Sequence, residues 1–474
     1  MSNGTPPLFI VGTGRCGSTM LSRLLAQHPE VASLSELYNS LGAGAFPQDP
    51  VDGPTLWEAL SRPRPQHRLW LQLVEHGIEI DELRYPRTGL GRFREGGIPP
   101  LLTMTLPELS DDPDGLHEQL RLFVEALPAD RLGAQYCRVF QWLTERVGRR
   151  IWVERSGASI GTLPALVNHF PDARFVHIYR DGREAALSAS RFPPMRLMAI
   201  SRVFETRIGK TLFDPVSPAD VRRLPPEMRP LVAPGFDVDA FQRVQIPLKY
   251  FGSLWSTQMV HGAAWLAGLP RERVLHLRYE SILADPEPVL RRLLRFLDPG
   301  LPQEAWLAGA LPLVRANPPK WPSLPPDERD ALEASCARGM TVLENMEPRP
   351  RVVEPRREDE SYQGGHDPES IRAELKRILV RVLEMDIPPE QIRHTDPLFM
   401  HGLGIDSVEA LEIVREVERR FGVALFEERI DTSAFGDVLS LGQLVASAMA
   451  RESRTALPGE GPVTAGSPVG GPDG

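Results

Sequence analysis

Residues 12–19 read GTGRCGST, between a short apolar run, LFIV, and a stretch in which Met20, Leu21, Leu24 and Leu25 recur at helical spacing. A glycine-rich turn in that setting aims successive backbone N–H groups and the positive end of a helix dipole at one point, as a phosphate site requires. The usual nucleoside-triphosphate loop ends in Lys followed by Ser or Thr. Here Ser18 stands at the lysine position and the positive charge comes earlier, at Arg15, which argues against a kinase or NTPase. A second constellation is RFVHIYRDGREAALS, residues 174–188, where an apolar run ends in Arg180, turns at Asp181 and Gly182, and opens a helix bearing Ser188. Arginine at a strand's carboxyl edge offers a fork of donors to a second anionic group, and the hydroxyl adds one more. No apolar run ends in the paired acidic residues of a magnesium site, so the implied ligand is of phosphate type, handled without metal. The plainer alternatives are an ordinary strand-to-helix turn for the first segment and an Arg180 paired with Asp181 or Glu184 for the second.

The elements that position these residues follow from the same periodicities. Apolar runs at 8–11, 151–153, 175–179 and 274–277, each followed by a helical pattern, predict an α/β P-loop-type parallel sheet flanked by helices. Residues 1–347 form this first domain, with a proline-punctuated lid or insertion at 193–250. Residues 348–368, charged and poor in large apolar side chains, read as a linker, and the Gly/Pro-rich 452–474 as a disordered tail. Between them, 369–451 predicts a small all-α four-helix bundle.

A length of 474 residues calls for more than one core, and 25% charged residues against 42% hydrophobic is a globular balance. The net charge of −9 disfavours nucleic acid as a partner. Three scattered cysteines (Cys16, Cys137, Cys336) match neither a disulfide framework nor a metal spacing. With no basic, apolar leader and no long apolar run, a cytoplasmic protein without a membrane span is expected.

The two anion-binding segments together resemble the sulfotransferases, in particular the bacterial and tyrosylprotein-type branch, over roughly residues 7–347. The resemblance implies 3′-phosphoadenosine-5′-phosphosulfate (PAPS) as donor of a sulfuryl group to a hydroxyl. It places Gly14, Arg15, Cys16, Gly17, Ser18 and Thr19 around the 5′-phosphosulfate, and Arg180 and Ser188 on the 3′-phosphate. By position after the loop arginine it makes Glu36 the catalytic base, with His177 and His261 as lesser candidates. It gives Arg155, in VERSG, the task of stabilising oxygens of the transferred group, with Arg15 doing the same from the loop. Tyr279 in LRYESILADP is expected beside the adenine, and Lys320, of a Lys-Trp pair, at the cofactor. Cys16 stands where the family commonly has serine, which speaks against a covalent role.

The C-terminal bundle resembles an acyl carrier protein, and GLGIDSVEALEI its attachment motif, which implies 4′-phosphopantetheine on Ser407, preceded by Asp406, and a phosphopantetheinyl transferase as partner. Glu409, Glu412 and Glu416 then offer an acidic helix face to other assembly-line enzymes. A linker of about twenty residues spans roughly 25 Å as a coil and holds the two domains at an effective concentration on the order of millimolar. The expected acceptor is therefore an acyl or polyketide intermediate on the chain's own arm; the alternative is a diffusible hydroxylated substrate, with the carrier serving docking or delivery.

Overall fold

The protein is described here by a computed structural model covering residues 6–85, 92–93, 97–232, 235–315, 317–346, 367–382, 387–394, 413, 416–423 and 437–455. The chain divides into two compact units, Met1–Arg351 and Val352–Gly474.

In the first unit, five parallel strands form one sheet in the order β2-β3-β1-β4-β5: β1 (Leu8–Val11), β2 (Val31–Ser35), β3 (Ile151–Arg155), β4 (Arg174–Tyr179) and β5 (Val274–Arg278). β1 is central and wholly buried, and its side chains alternate between two cores. Leu8 and Ile10 join Leu21, Leu24 and Leu25 of α1 (Ser18–Ala26). Phe9 and Val11 face the other side, where Phe9 packs against Phe170 with ring centroids 4.9 Å apart. α1 ends just before His28 and Pro29, since proline cannot continue the hydrogen-bond ladder.

From β1 the chain crosses to one side of the sheet, to β2 and back to β3; it then passes over β1 to β4 and β5 on the other side. The order therefore reverses between β1 and β4, and a crevice opens at the carboxyl ends of those two strands. α2 (Gly182–Ser190) starts there, with Asp181 accepting the Arg183 N–H at 2.9 Å as its N-cap.

β2, VASLS, carries only one large apolar residue besides Val31; its serines are accommodated because Ser22 of α1 hydrogen-bonds both Ser33 and Ser35, at 2.7 and 2.9 Å. The proline-rich stretch after α2 opens with a 16-residue helix, Pro193–Ile208, which sends Leu197, Ile200 and Phe204 into the sheet's core. No helix among the described residues is long and apolar enough to cross a membrane.

The second unit is helical. α3 (Pro368–Val382) and α4 (Val438–Thr455) share a core with Ile392, Ile413, Val417 and Phe421. Glu374, almost fully buried, is neutralised by Arg377 and by Arg420, whose Nε donates at 2.6 Å.

Candidate active site

A cavity of about 1030 Å³ opens at the crevice, with Arg15, Ser18, Thr19, Arg180, Ser188 and Tyr279 in its wall. The loop's geometry needs its glycines: Gly14 and Gly17 have φ of 79° and 92°. A Cβ on Gly17 would lie 2.2 Å from the Tyr279 ring, and one on Gly14 would lie 3.3 Å from the Ala158 methyl. The non-glycine residues with positive φ among those described are Arg15, Glu36 and Ala158, each just past the end of β1, β2 or β3. Backbone strain is thus gathered around this crevice.

Arg15 donates from Nε to Ser188 Oγ at 3.1 Å and lies over the Phe192 ring at 4.3 Å. Arg180, from the end of β4, stacks on Tyr279 at 4.8 Å and donates to the Arg15 carbonyl at 3.3 Å. Its Nη2 pairs with Glu184 at 3.0 Å, as the plainer reading of that segment allows, while Nε is buried without a partner. Glu184 in turn accepts the backbone N–H groups of Lys320 and Trp321, the latter at 2.7 Å. The Asp181 N–H donates to Glu280 at 3.0 Å, joining the turn after β4 to the helix after β5. Ser18 and Cys16 are buried, and burial pushes the Cys16 thiol up, away from the thiolate a nucleophile needs.

Five expected residues, Lys320, Glu36, Arg155, His177 and His261, stand apart from the cavity wall. Lys320 turns its side chain to solvent and contributes only its backbone, through Glu184. Glu36 and Arg155 are 3% and 1% exposed and pair with each other, and neither lines the cavity. The Glu36 carboxylate accepts from Arg155 Nη1, from Asn39 Nδ2 at 2.8 Å and from the Gly157 N–H at 3.0 and 3.1 Å. Among the lesser candidates, His177 is buried inside the sheet against His276, with burial holding its pKa well below the usual value, and His261 is exposed on a helix and does not line the cavity. Beside Glu36, burial first and the Glu36 charge second push the Glu154 carboxyl up to about 8, so it stays protonated at neutral pH while accepting from Ser156 at 2.6 Å.

Sequence reasoning passed over Phe192 and Glu82, and gave Glu184 only as the plainer partner of Arg180. Glu184 was visible as the i+4 partner of Arg180; the other two come from segments without a motif. In the second unit, Ser407, Asp406, Glu409 and Glu412 lie outside the described residues. Glu416 is tied to Arg381 and Arg419 of its own unit rather than left open to partners.

A family model described as the Sulfotransferase family matches residues 6–201 and 236–303. The chain belongs to the sulfotransferase family. The unmatched interval, 202–235, falls within the proline-rich stretch. A second model, described as the phosphopantetheine attachment site, matches residues 373–445, so this sulfotransferase is joined to a carrier domain. Among solved structures it is similar to the sulfotransferase domain from the curacin biosynthetic pathway (16% identity, covering 66% of this chain and 79% of that one, TM-score 0.35). It is also similar to the sulfotransferase domain from the Synechococcus PCC 7002 olefin synthase (16%, 73% and 95%, 0.34) and to sulfotransferase STF9 from Mycobacterium avium (18%, 72% and 77%, 0.34). No curated protein matches the chain.

Proposed function

We propose that this sulfotransferase moves a sulfuryl group from PAPS to a hydroxyl on an acyl or polyketide chain held by phosphopantetheine on Ser407 of its own carrier domain. The observation that carries the donor assignment is the convergence of Arg15 and Arg180 on one cavity from the ends of neighbouring strands, with a buried Arg180 N–H still unspent. The loop N–H groups of residues 14–19 and Arg15 suit a 5′-phosphosulfate, while Arg180 and Ser188 suit a 3′-phosphate with the Tyr279 ring beside the base. In the transfer, the acceptor oxygen attacks sulfur, the sulfur–oxygen bond to the 5′-phosphate breaks with its electron pair, and Arg15 and the loop stabilise the charge left on that phosphate.

In this reading Glu36 takes the acceptor's proton and Arg155 stabilises oxygens of the transferred group, as the family resemblance implies, and the pair also positions the loop. Glu36 holds Gly157, the next residue, Ala158, packs on Gly14, and Ile160 N–H donates to the Gly12 carbonyl at 3.1 Å, so the pair braces the phosphate loop from the side. The tethered acceptor is supported by the rest of the cavity wall, which includes Met20, Leu24 and Leu109 and also Arg23, Arg149 and Arg315. Apolar side chains suit an acyl chain, and the arginines suit the phosphate of a pantetheine arm.

The test is mass spectrometry of the phosphopantetheinylated chain loaded with a hydroxyacyl group and incubated with PAPS. A gain of about 80 Da on the arm is expected, the mass of a transferred SO₃ much as a phosphoryl mass marks a phosphosite. PAP, the spent donor, should bind in calorimetry without magnesium. Absence of PAP binding to the intact chain refutes the donor; equal sulfation of a free alcohol by the Ser407→Ala chain refutes the tether.

A further inference from the structure

We propose that the phosphopantetheine arm presenting the acceptor lies along the open edge of β2, its amides paired with the Ser33 main chain and its phosphate held by Arg23, Arg146 and Arg149. The inference rests on the tethered-acceptor reading above and supplies the path by which the hydroxyl reaches the phosphate loop.

β2 is an edge strand, bonded to β3 alone among the described strands. In a parallel ladder successive residues turn their main-chain groups alternately toward one side and the other. The Ile151 N–H donates to the Glu30 carbonyl at 3.0 Å and the Glu36 N–H to the Arg155 carbonyl at 2.7 Å, so the even-numbered residues serve β3 while Val31, Ser33 and Ser35 face outward. Thr105 Oγ1 donates to the Ser35 carbonyl at 2.7 Å, and the Val31 N–H donates to the His28 carbonyl at 3.4 Å. The N–H and carbonyl of Ser33 have no partner among the described residues, and Ser33 stands in the cavity wall. An unpaired strand edge is a template for an extended chain with amides of its own, and a pantetheine arm carries two.

The edge leads from the phosphate loop to a cluster of arginines. α1 joins two parallel strands and so runs against them, from the loop at their carboxyl ends to Arg23 in its last turn near their amino ends. Thr19, Arg23 and Gln27, one face of that helix, line the same cavity as Ser33. Arg149 lies two residues before β3, which opens opposite Val31, and Arg146 closes the preceding helix, Leu132–Arg146. Both are in the wall. Arg150, beside them, is spent on Glu30 and Asp298 at 2.6 and 2.7 Å. Arg23, Arg146 and Arg149 have no carboxylate partner among the described residues; Arg146 reaches Gln119 and rests on the Trp142 ring at 5.1 Å. Three uncompensated guanidinium groups at one end of a groove fit a phosphodiester. The lengths agree: the five residues of β2 span about 16 Å, and an extended arm measures about 16 Å from phosphorus to sulfur on ordinary bond lengths. With its phosphate on the arginines, the arm brings its thioester to the loop end of the cavity.

The experiment uses the full-length Ser407→Ala chain, saturated with PAPS, and one 3-hydroxyacyl group offered in three forms: the free acid, its pantetheine thioester and its 4′-phosphopantetheine thioester. kcat/KM should be about tenfold higher or more for the phosphorylated thioester than for the plain one, an advantage that shrinks as salt is raised. Replacing one amide of the phosphorylated arm by an ester removes an N–H donor and should cost about threefold to tenfold in kcat/KM. Arg23→Ala combined with Arg149→Ala should bring the two thioesters within about threefold of each other while PAP binds within about twofold of the parent chain, which separates loss of the phosphate site from loss of the fold. Ester arms as good as the amide overturn the pairing with Ser33. Equal rates for the two thioesters in the parent chain, both above the free acid, or an undiminished preference in the double variant, overturn the groove and leave the tethered reading standing. A free acid sulfated as fast as both thioesters overturns that reading and the groove with it.

Discussion

Gly17→Ala adds a single methyl group and should cripple nucleotide binding. At φ of 92° an L-residue is strained by about 1–2 kcal/mol, and the new Cβ would sit 2.2 and 2.6 Å from Cδ2 and Cε2 of Tyr279. The ring, itself buried, must yield, which adds about 1–3 kcal/mol of overpacking. Arg180 rests on that ring at 4.8 Å and also reaches the Arg15 carbonyl, so displacement of Tyr279 moves a guanidinium assigned to the 3′-phosphate. A loss of about 1.4–2.8 kcal/mol in PAP binding follows, or tenfold to a hundredfold in Kd, with a fall in Tm of several degrees. Calorimetry with PAP and a thermal melt measure both. Gly161→Ala is the control: nothing lies within 4 Å of its Cβ position, and it should leave both quantities unchanged. If Gly17→Ala binds PAP within twofold of wild type and melts at the same temperature, the claim that Tyr279 and Arg180 form one platform is wrong.

Glu184→Ala should lower stability by about 3–5 kcal/mol in denaturant titration, because it leaves Arg180 buried without its partner and strands the N–H groups of Lys320 and Trp321. Lys320→Ala should change PAP affinity by less than threefold in the same calorimetric assay, since the exposed side chain is not in the cavity wall. Glu154 has an ordinary value of 4.5 and a folded value of about 8, so between those pH values the unfolded chain ionises it while the folded protein does not, and the group progressively erodes stability. Glu154→Gln should therefore show a smaller loss of stability than wild type between pH 5 and 8 in urea melts.

The glycine-rich turn after β1, the place of Arg180 at the end of β4 and four of the five strands were legible because each depends on local pattern: apolar runs, glycines at a strand-to-helix turn, an arginine where a strand stops. β2 offers a weaker signal, since its serines become tolerable in the core only through Ser22 of α1, a contact no window along the chain contains. Glu36 shows what position along the chain leaves out. The glutamate stands where expected, yet the partner that occupies it, Arg155, is contributed by a strand more than a hundred residues on. Lys320 is a similar case: its backbone is recruited by Glu184, a contact no local pattern shows, while its side chain is exposed. Glu82, another residue of the cavity wall, sits in a turn with no motif.

Through Glu184, the grip on Arg180 depends on peptide groups at 320 and 321, far downstream of both motif segments. Anyone transplanting this catalytic module onto a foreign carrier by cutting after the last sheet strand would keep every signature residue and still loosen the arginine they depend on; the graft has to extend beyond Trp321.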